Sequence, residues 1–212
     1  MRTNMKVLVA LGLLLIGAVT LGVLSSSAKD TLTSQPTRNI EVNKQSEEKV
    51  LVQVGSNTIT NIQLLNYKEY NSISPATLTD SEILKHMIKE ELFLQLADKE
   101  GVSASLEEGR QEAVRMKQLL SEQPQEVQDT HNKLIDTMGV TEKEYWEKIA
   151  PPEYQKLLSK QNVAAKIQQD IQSAQKDKSD VPPSLNEFKE QLYQSSMTNG
   201  TVQIKDKDVI LE

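Results

Sequence analysis

The chain has 212 residues, a formal net charge of −6 and no cysteine. An acidic balance excludes a nucleic-acid backbone as partner, because affinity there comes from Lys and Arg displacing counterions. The missing cysteine excludes disulfides, thiolate catalysis, cysteine-ligated zinc and a lipid-modified N-terminal cysteine together.

Arg2 and Lys6 precede Val7 to Leu24, eighteen residues without a charge, followed by Ser25-Ser26-Ser27-Ala28. Basic flank, apolar run and small residues are the order of a secretory signal cleaved after Ala28. Eighteen uncharged, mostly apolar residues also just cross the roughly 30 Å of hydrocarbon as a helix. Residues 1–28 are therefore read as a signal peptide or an uncleaved signal anchor. In either case the basic flank stays in the cytoplasm and Lys29 onward is extracytoplasmic. Residues 29–48 are polar and poor in large apolar side chains, a flexible linker.

At Val50 the pattern becomes VLVQV, an alternating strand with one buried face. Gly55-Ser56-Asn57 offers a turn and Thr58-Ile59 a returning strand. A first helix carries Ile62, Leu64, Leu65 and Tyr67. A loop with Pro75 leads to the stretch Ser81 to Gly101. There Leu84, Ile88, Leu92 and Leu96 run at i, i+4 beside Ile83, Met87 and Leu94, and Phe93 and Ala97 widen the stripe. So broad an apolar face needs cover from more than one side, which predicts the central helix of the core.

Further helices follow. One places Leu106, Ala113, Met116 and Leu120 on a face; the next places Val127, His131, Leu134, Ile135 and Met138. A short one holds Tyr145, Trp146 and Ile149 and is expected to end at Pro151-Pro152. A long one from Glu153 carries Leu157, Ala164, Ile167, Ile171 and Ala174. After the polar break 176–183 a last helix carries Leu185, Phe188 and Leu192, and Thr201 to Ile204 reads as a closing strand. Five boxes of the form [ST]-x-x-[EQ], at Thr60, Thr79, Ser105, Thr141 and Ser184, open five of these runs. The closing strand needs a partner for its backbone groups, and residues 50–54 are the expected one.

The motifs of catalysis are absent from this reading. His86 and His131 stand alone as metal ligands, no G-x-S-x-G elbow, P-loop or G-x-G-x-x-G occurs, and Glu90-Glu91 and Glu107-Glu108 point about 100° apart on their helices, as solvated charges. The expectation is a non-enzyme without cofactor or metal. What remains is apolar: Met116, Leu120, Met138, Tyr145, Trp146 and Tyr154 are the candidate client-binding residues, since methionine adapts to varied partners and aromatics anchor apolar segments. The competing reading is that they fill the core between helices.

KVLVQVGSNTIT, then ILKHMIKEELFLQLADKEGVSASLEEGRQEA, resembles the N-terminal chaperone domain of SurA- and PrsA-type extracytoplasmic foldases. Val52 to Thr60 matches a strand of the kind V-x-V-N-G-x-x-I-T, with Gly-Ser-Asn in place of Asn-Gly. Leu84 to Val102 and Ser105 to Glu108 match the helix and serine-capped acidic helix start that follow. The likeness covers roughly 48–175 and implies a mostly α, multi-helix SurA N-like domain with a small β-element from its N- and C-terminal ends. Its partners would be unfolded exported polypeptides, held without ATP, with the membrane engaged through residues 7–24 if uncleaved. Where the family carries a parvulin-type isomerase domain, this chain has only QKDKSDVPP between Ala174 and Ser184. Residues 184–212 then read as the segment that packs back on the helical domain. The alternatives are a scaffold module for one dedicated envelope partner and a prolyl isomerase.

Overall fold

A computed structural model describes residues 47–71, 78–174 and 183–211. The signal or anchor segment, nearly all of the 29–48 linker, the Pro75 loop and most of the 176–183 break lie outside them. The molecule is mostly helical with one small sheet.

All five capping boxes form. Thr79 Oγ1 accepts from the Glu82 N–H at 3.2 Å while the Glu82 carboxylate accepts from the Thr79 N–H at 2.7 Å. The same reciprocal pair recurs at Ser105, Thr141 and Ser184, and with Gln63 at Thr60. Each satisfies orphan donors of a first turn and thereby sets where a helix begins. The four box glutamates, Glu82, Glu108, Glu144 and Glu187, are held below the usual carboxylate range first by the backbone N–H they accept from.

In order, the elements are β1 (Val50–Val54), β2 (Asn57–Thr60), α1 (Asn61–Asn71), α2 (Asp80–Lys99), α3 (Leu106–Ser121), α4 (Gln125–Thr137), α5 (Glu142–Glu144), a π turn (Tyr145–Ile149), α6 (Ala150–Ala174), α7 (Leu185–Thr198) and β3 (Val202–Ile204). The sheet order is β2-β1-β3, antiparallel throughout. Val54 pairs with Val202 and Val52 with Ile204, so the expected pairing of the closing strand with 50–54 is found. The Lys49 ammonium reaches the buried Asp206 carboxylate at 2.6 Å and seals the far end of this clip. One detail of β1 differs from the predicted alternation. The register slips between Val50 and Val52, and this bulge turns Leu51 inward beside Val52 while Val50 faces solvent.

Helix α2 is central, as its broad stripe predicts. Ile83, Leu84, Ile88 and Leu92 pack with the sheet, Leu64 of α1 and Tyr193 of α7; Phe93 and Ala97 pack with Val163 and Ile167 of α6. A second apolar cluster lies away from the sheet, among α3, α4, the π turn and the start of α6. The second cluster defines an arm, α3 through the π turn, which meets the sheet-bearing body where α3 crosses α6. A Cβ at Gly109 would stand 2.3 Å from the Pro151 carbonyl oxygen, so only glycine lets the backbones approach so closely. The face of α3 thus runs Gly109, Ala113, Met116, Leu120, and Leu106, predicted on it, is exposed.

Two sequence readings are corrected. Pro151-Pro152 do not end a helix: α5, the π turn and α6 run on without a break. The Ala150 N–H donates to the Tyr145 carbonyl, five residues back. A turn widened in this way makes room for the proline rings, which would otherwise clash with the preceding carbonyls. Glu90 and Glu91 are not solvated charges. Glu90 accepts from Lys160 of α6 and, at 3.3 Å, from Lys189 of α7, and Glu91 accepts from Asn57 Nδ2 of β2 at 2.6 Å. Burial acts to raise the Glu90 pKa, but the two lysines outweigh it and hold the carboxyl low.

Candidate functional site

The six candidate client-binding residues do come together. Met116, Leu120, Tyr145, Trp146 and Tyr154 are buried members of the second cluster, and Met138 is half-buried against it. They form a closed core: Tyr145 and Tyr154 are each 1% exposed, and only Leu120 borders an open groove. The reason is α4, which lays Val127, His131 and Ile135 over them. Burial pushes the Tyr154 hydroxyl well up, and burial followed by the Glu153 carboxylate pushes Tyr145 to about 12.

This cluster contains an unusual contact. The His131 ring meets Tyr145 edge-on at 5.1 Å and Trp146 at 5.3 Å, and Tyr145 meets Trp146 edge-on at 5.1 Å. His131 Nδ1 and Nε2 and Trp146 Nε1 are buried without a hydrogen-bond partner. A buried polar group left unpaired costs about 1–3 kcal/mol. Burial also lowers the His131 pKa to about 4, with the Glu142 carboxylate opposing. The π turn is what presents both rings, since a wider turn narrows the angle between neighbouring side chains.

An open cleft of about 510 Å³ lies elsewhere, between the tip of the β1–β2 hairpin, α2 and α6. Its walls are polar and in part charged: Asn57 and Thr58 from β2, Glu91, Gln95 and Asp98 with the apolar Leu94 from α2, Gln155, Lys156 and Ser159 from α6. Gly55, at φ +58° in the two-residue loop, lets the hairpin turn tightly against α2. Gln95 Nε2 donates to the Val54 carbonyl at 2.8 Å and to Glu91 Oε1 at 3.0 Å, which fixes the tip on the helix. Across the cleft, α6 pins the α2–α3 connection. Ser159 Oγ accepts from the Ala104 N–H at 2.9 Å, and Gln155 Nε2 donates to the Ala104 carbonyl at 3.0 Å.

The geometry leaves β2 at the edge of the sheet, beside this cleft. With Val54 opposite Asn57 across a two-residue loop, Thr58 falls at the non-hydrogen-bonded position. Its backbone N–H and C=O therefore point away from β1, toward the open side. Sequence reasoning did not find this site, because it draws on residues of β2, α2 and α6 that lie far apart in the chain. One signal was present: Glu91, Gln95 and Asp98 form a polar stripe at i, i+4, i+7 on an otherwise broadly apolar helix.

Among the described residues no group of three or more His, Asp or Glu could hold a metal ion, and no helix is long and apolar enough to cross a membrane. No family model, curated protein or solved structure matches the chain.

Proposed function

We propose that the chain is an ATP-independent extracytoplasmic chaperone of the SurA/PrsA type that holds extended segments of unfolded exported polypeptides and lacks prolyl isomerase activity. The observation that carries this reading is the polar cleft of about 510 Å³, lined by amides and hydroxyls together with Glu91, Asp98 and Lys156, beside the free edge of β2. An unfolded client repeats one feature at every residue, the peptide group, while its side chains vary. A site that accepts many clients must read that repeat. An edge strand with outward N–H and C=O groups does so by adding the client as a further strand, and short polar side chains around it exchange hydrogen bonds without demanding one sequence. Tethering through residues 7–24 would keep the site at the outer membrane–water boundary, where exported chains emerge.

The test is suppression of aggregation of a thermally unfolding model protein by the full chain in lipid bicelles. Protection at modest molar excess without nucleotide is expected; aggregation unchanged from empty bicelles overturns the reading.

A second reading, a scaffold module for one folded envelope partner on the same fold, is favoured by the burial of the apolar candidates, which leaves an unfolded chain little greasy surface to grip. A defined stoichiometric complex with one folded protein, together with indifference to unfolded chains, would select it.

A further inference from the structure

Three features of the arm converge on helix α4. Its N-cap is Pro124, which offers no side-chain bond, whereas α2, α3, α5 and α7 each begin with a full capping box. Among the described residues no ion pair joins α4 to another element. The buried polar atoms without a partner, on His131 and Trp146, all sit at the contact α4 makes with the π turn. Along the edge of α4 a groove of about 410 Å³ already reaches Leu120, between Val114, Gln128 and Glu142. Val114 on its lip is 70% exposed.

We propose that α4 is a displaceable cover, and that the surface beneath it, formed by Met116, Leu120, Tyr145 and Trp146, is a second binding site, for the apolar face of an amphipathic client segment. The inference rests on the chaperone reading and adds to it a site distinct from the polar cleft. Chemistry names the occupant. The surface is shaped to hold a helix whose Val127, His131 and Ile135 recur at i, i+4 and i+8, and a client segment with that spacing and a leucine or methionine at the histidine position fills it without stranding ring nitrogens. Opening gives His131 and the Trp146 indole N–H water as a partner, which offsets part of the apolar burial that α4 gives up by leaving.

Acid favours opening, because His131 gains its proton only in water. The groups facing it are the Tyr145 and Trp146 rings from the π turn and Glu142 of α5, whose carboxylate is 3.2 Å from Lys117 of α3. Behind Tyr145 stand Tyr154 and Glu153 of α6, the latter paired to Lys156. On α4 itself Asp129, Lys133 and Asp136 are exposed. Only Glu142 supplies a nearby opposite charge, and it is exposed and shared with Lys117.

Trp146 is the single tryptophan of the chain, so its emission reports on the cover alone. The experiment uses the full chain in lipid bicelles and, as probe, a synthetic peptide of residues 124–138, with a control peptide carrying serine at the positions of Val127, Leu134 and Ile135. The expected result is acrylamide quenching of Trp146 that rises several-fold from pH 7 to pH 4 while far-UV helicity is largely kept. The probe peptide, and not the control, should perturb Trp146 emission saturably. His131→Leu should abolish the acid response and weaken the peptide severalfold, and Ile135→Ser should raise quenching at pH 7. Unchanged Trp146 protection down to pH 4, exposure only with loss of all helicity, or equal responses to both peptides overturns the cover. If aggregation is still suppressed in that case, the chaperone reading stands on the polar cleft alone; if suppression is absent as well, both fall.

Discussion

The body of the molecule and its arm are held by different means. In the body, contacts join residues far apart in sequence: β3 pairs with β1, Lys49 with Asp206, and Lys160 and Lys189 both with Glu90. Lys189 also lies 4.4 Å from the Phe93 ring centroid. The arm is assembled from neighbours in sequence, α3 through the π turn, around an aromatic cluster with three unpaired polar atoms. A body closed by contacts between its two ends unfolds as a unit. An arm of local contacts has a lower free energy of opening and can come apart while the body stands.

The largest test of that contrast pairs Phe93→Ala with Ile135→Ala. Phe93 is 1% exposed in the body and its truncation should cost about 3–5 kcal/mol. Urea unfolding followed by far-UV circular dichroism and by Trp146 emission should shift in step for this variant. Ile135, 3% exposed in the arm, should instead separate the two probes, with Trp146 exposed at lower urea than the loss of helix. Coincident transitions in both variants would mean that the molecule has one cooperative unit.

Next in size is the pH dependence of the arm. The His131 pKa falls from 6.5 to about 4 on folding. The unfolded or open state therefore binds more protons between these values, and stability declines as pH falls from 6.5 and levels off near 4. A drop on the order of 2–3 kcal/mol in arm stability follows. His131→Leu removes the drop and, by eliminating two buried unpaired nitrogens, should raise stability at pH 7 by about 1–2 kcal/mol. Melting followed by Trp146 emission at pH 7 and pH 4.5 checks both.

At the joint between the two regions, Gly109→Ala should cost about 2 kcal/mol. The Cβ meets the Pro151 carbonyl at 2.3 Å and the Gln155 amide nitrogen at 2.8 Å, both backbone atoms that cannot rotate aside. The gain in helix propensity, about 1 kcal/mol, offsets part of the overpacking. A lowered urea midpoint with an intact body signal is expected, and an unchanged midpoint would show that α3 and α6 slide freely.

The contrast also explains what the sequence could disclose. Helix starts were legible because a capping box is complete within four residues. The pairing of 202–204 with 52–54 was legible because an orphan strand has few places to go. The six apolar candidates pack together as the core-filling reading expected; the sequence left the choice between core and open groove undecided, because a face such as Val127 to Ile135 shows what a helix covers only once its position is known. Pro151-Pro152 misled for a local reason: one widened turn cancels the usual meaning of proline. Glu90 misled for a distant one, since Lys160 and Lys189 lie 70 and 99 residues away. The cleft needs all of this at once, which is why only its polar stripe on α2 was visible in advance.

The smallest expected effect separates two carboxylates that look alike in sequence. Glu190 of α7 receives Lys89 at 2.5 Å and Lys85 at 3.4 Å, and the hydrogen bonds from Lys89 and Gln194 hold its pKa down at about 2. Its side chain is nonetheless 40% exposed, so water and salt screen the attraction, and Glu190→Gln should cost no more than about 1 kcal/mol. Glu90, with only 21% of its side chain exposed, also serves two lysines. Removing its charge leaves Lys160 and Lys189 half-buried without a counterion, and Lys189 without the charge that balances it over Phe93. Glu90→Gln should therefore cost clearly more than Glu190→Gln and be less sensitive to salt. Urea midpoints of the two variants at low and at high salt decide it. If the two carboxylates respond equally, the junction of α2, α6 and α7 is held by apolar packing alone, and the ion pairs only decorate it.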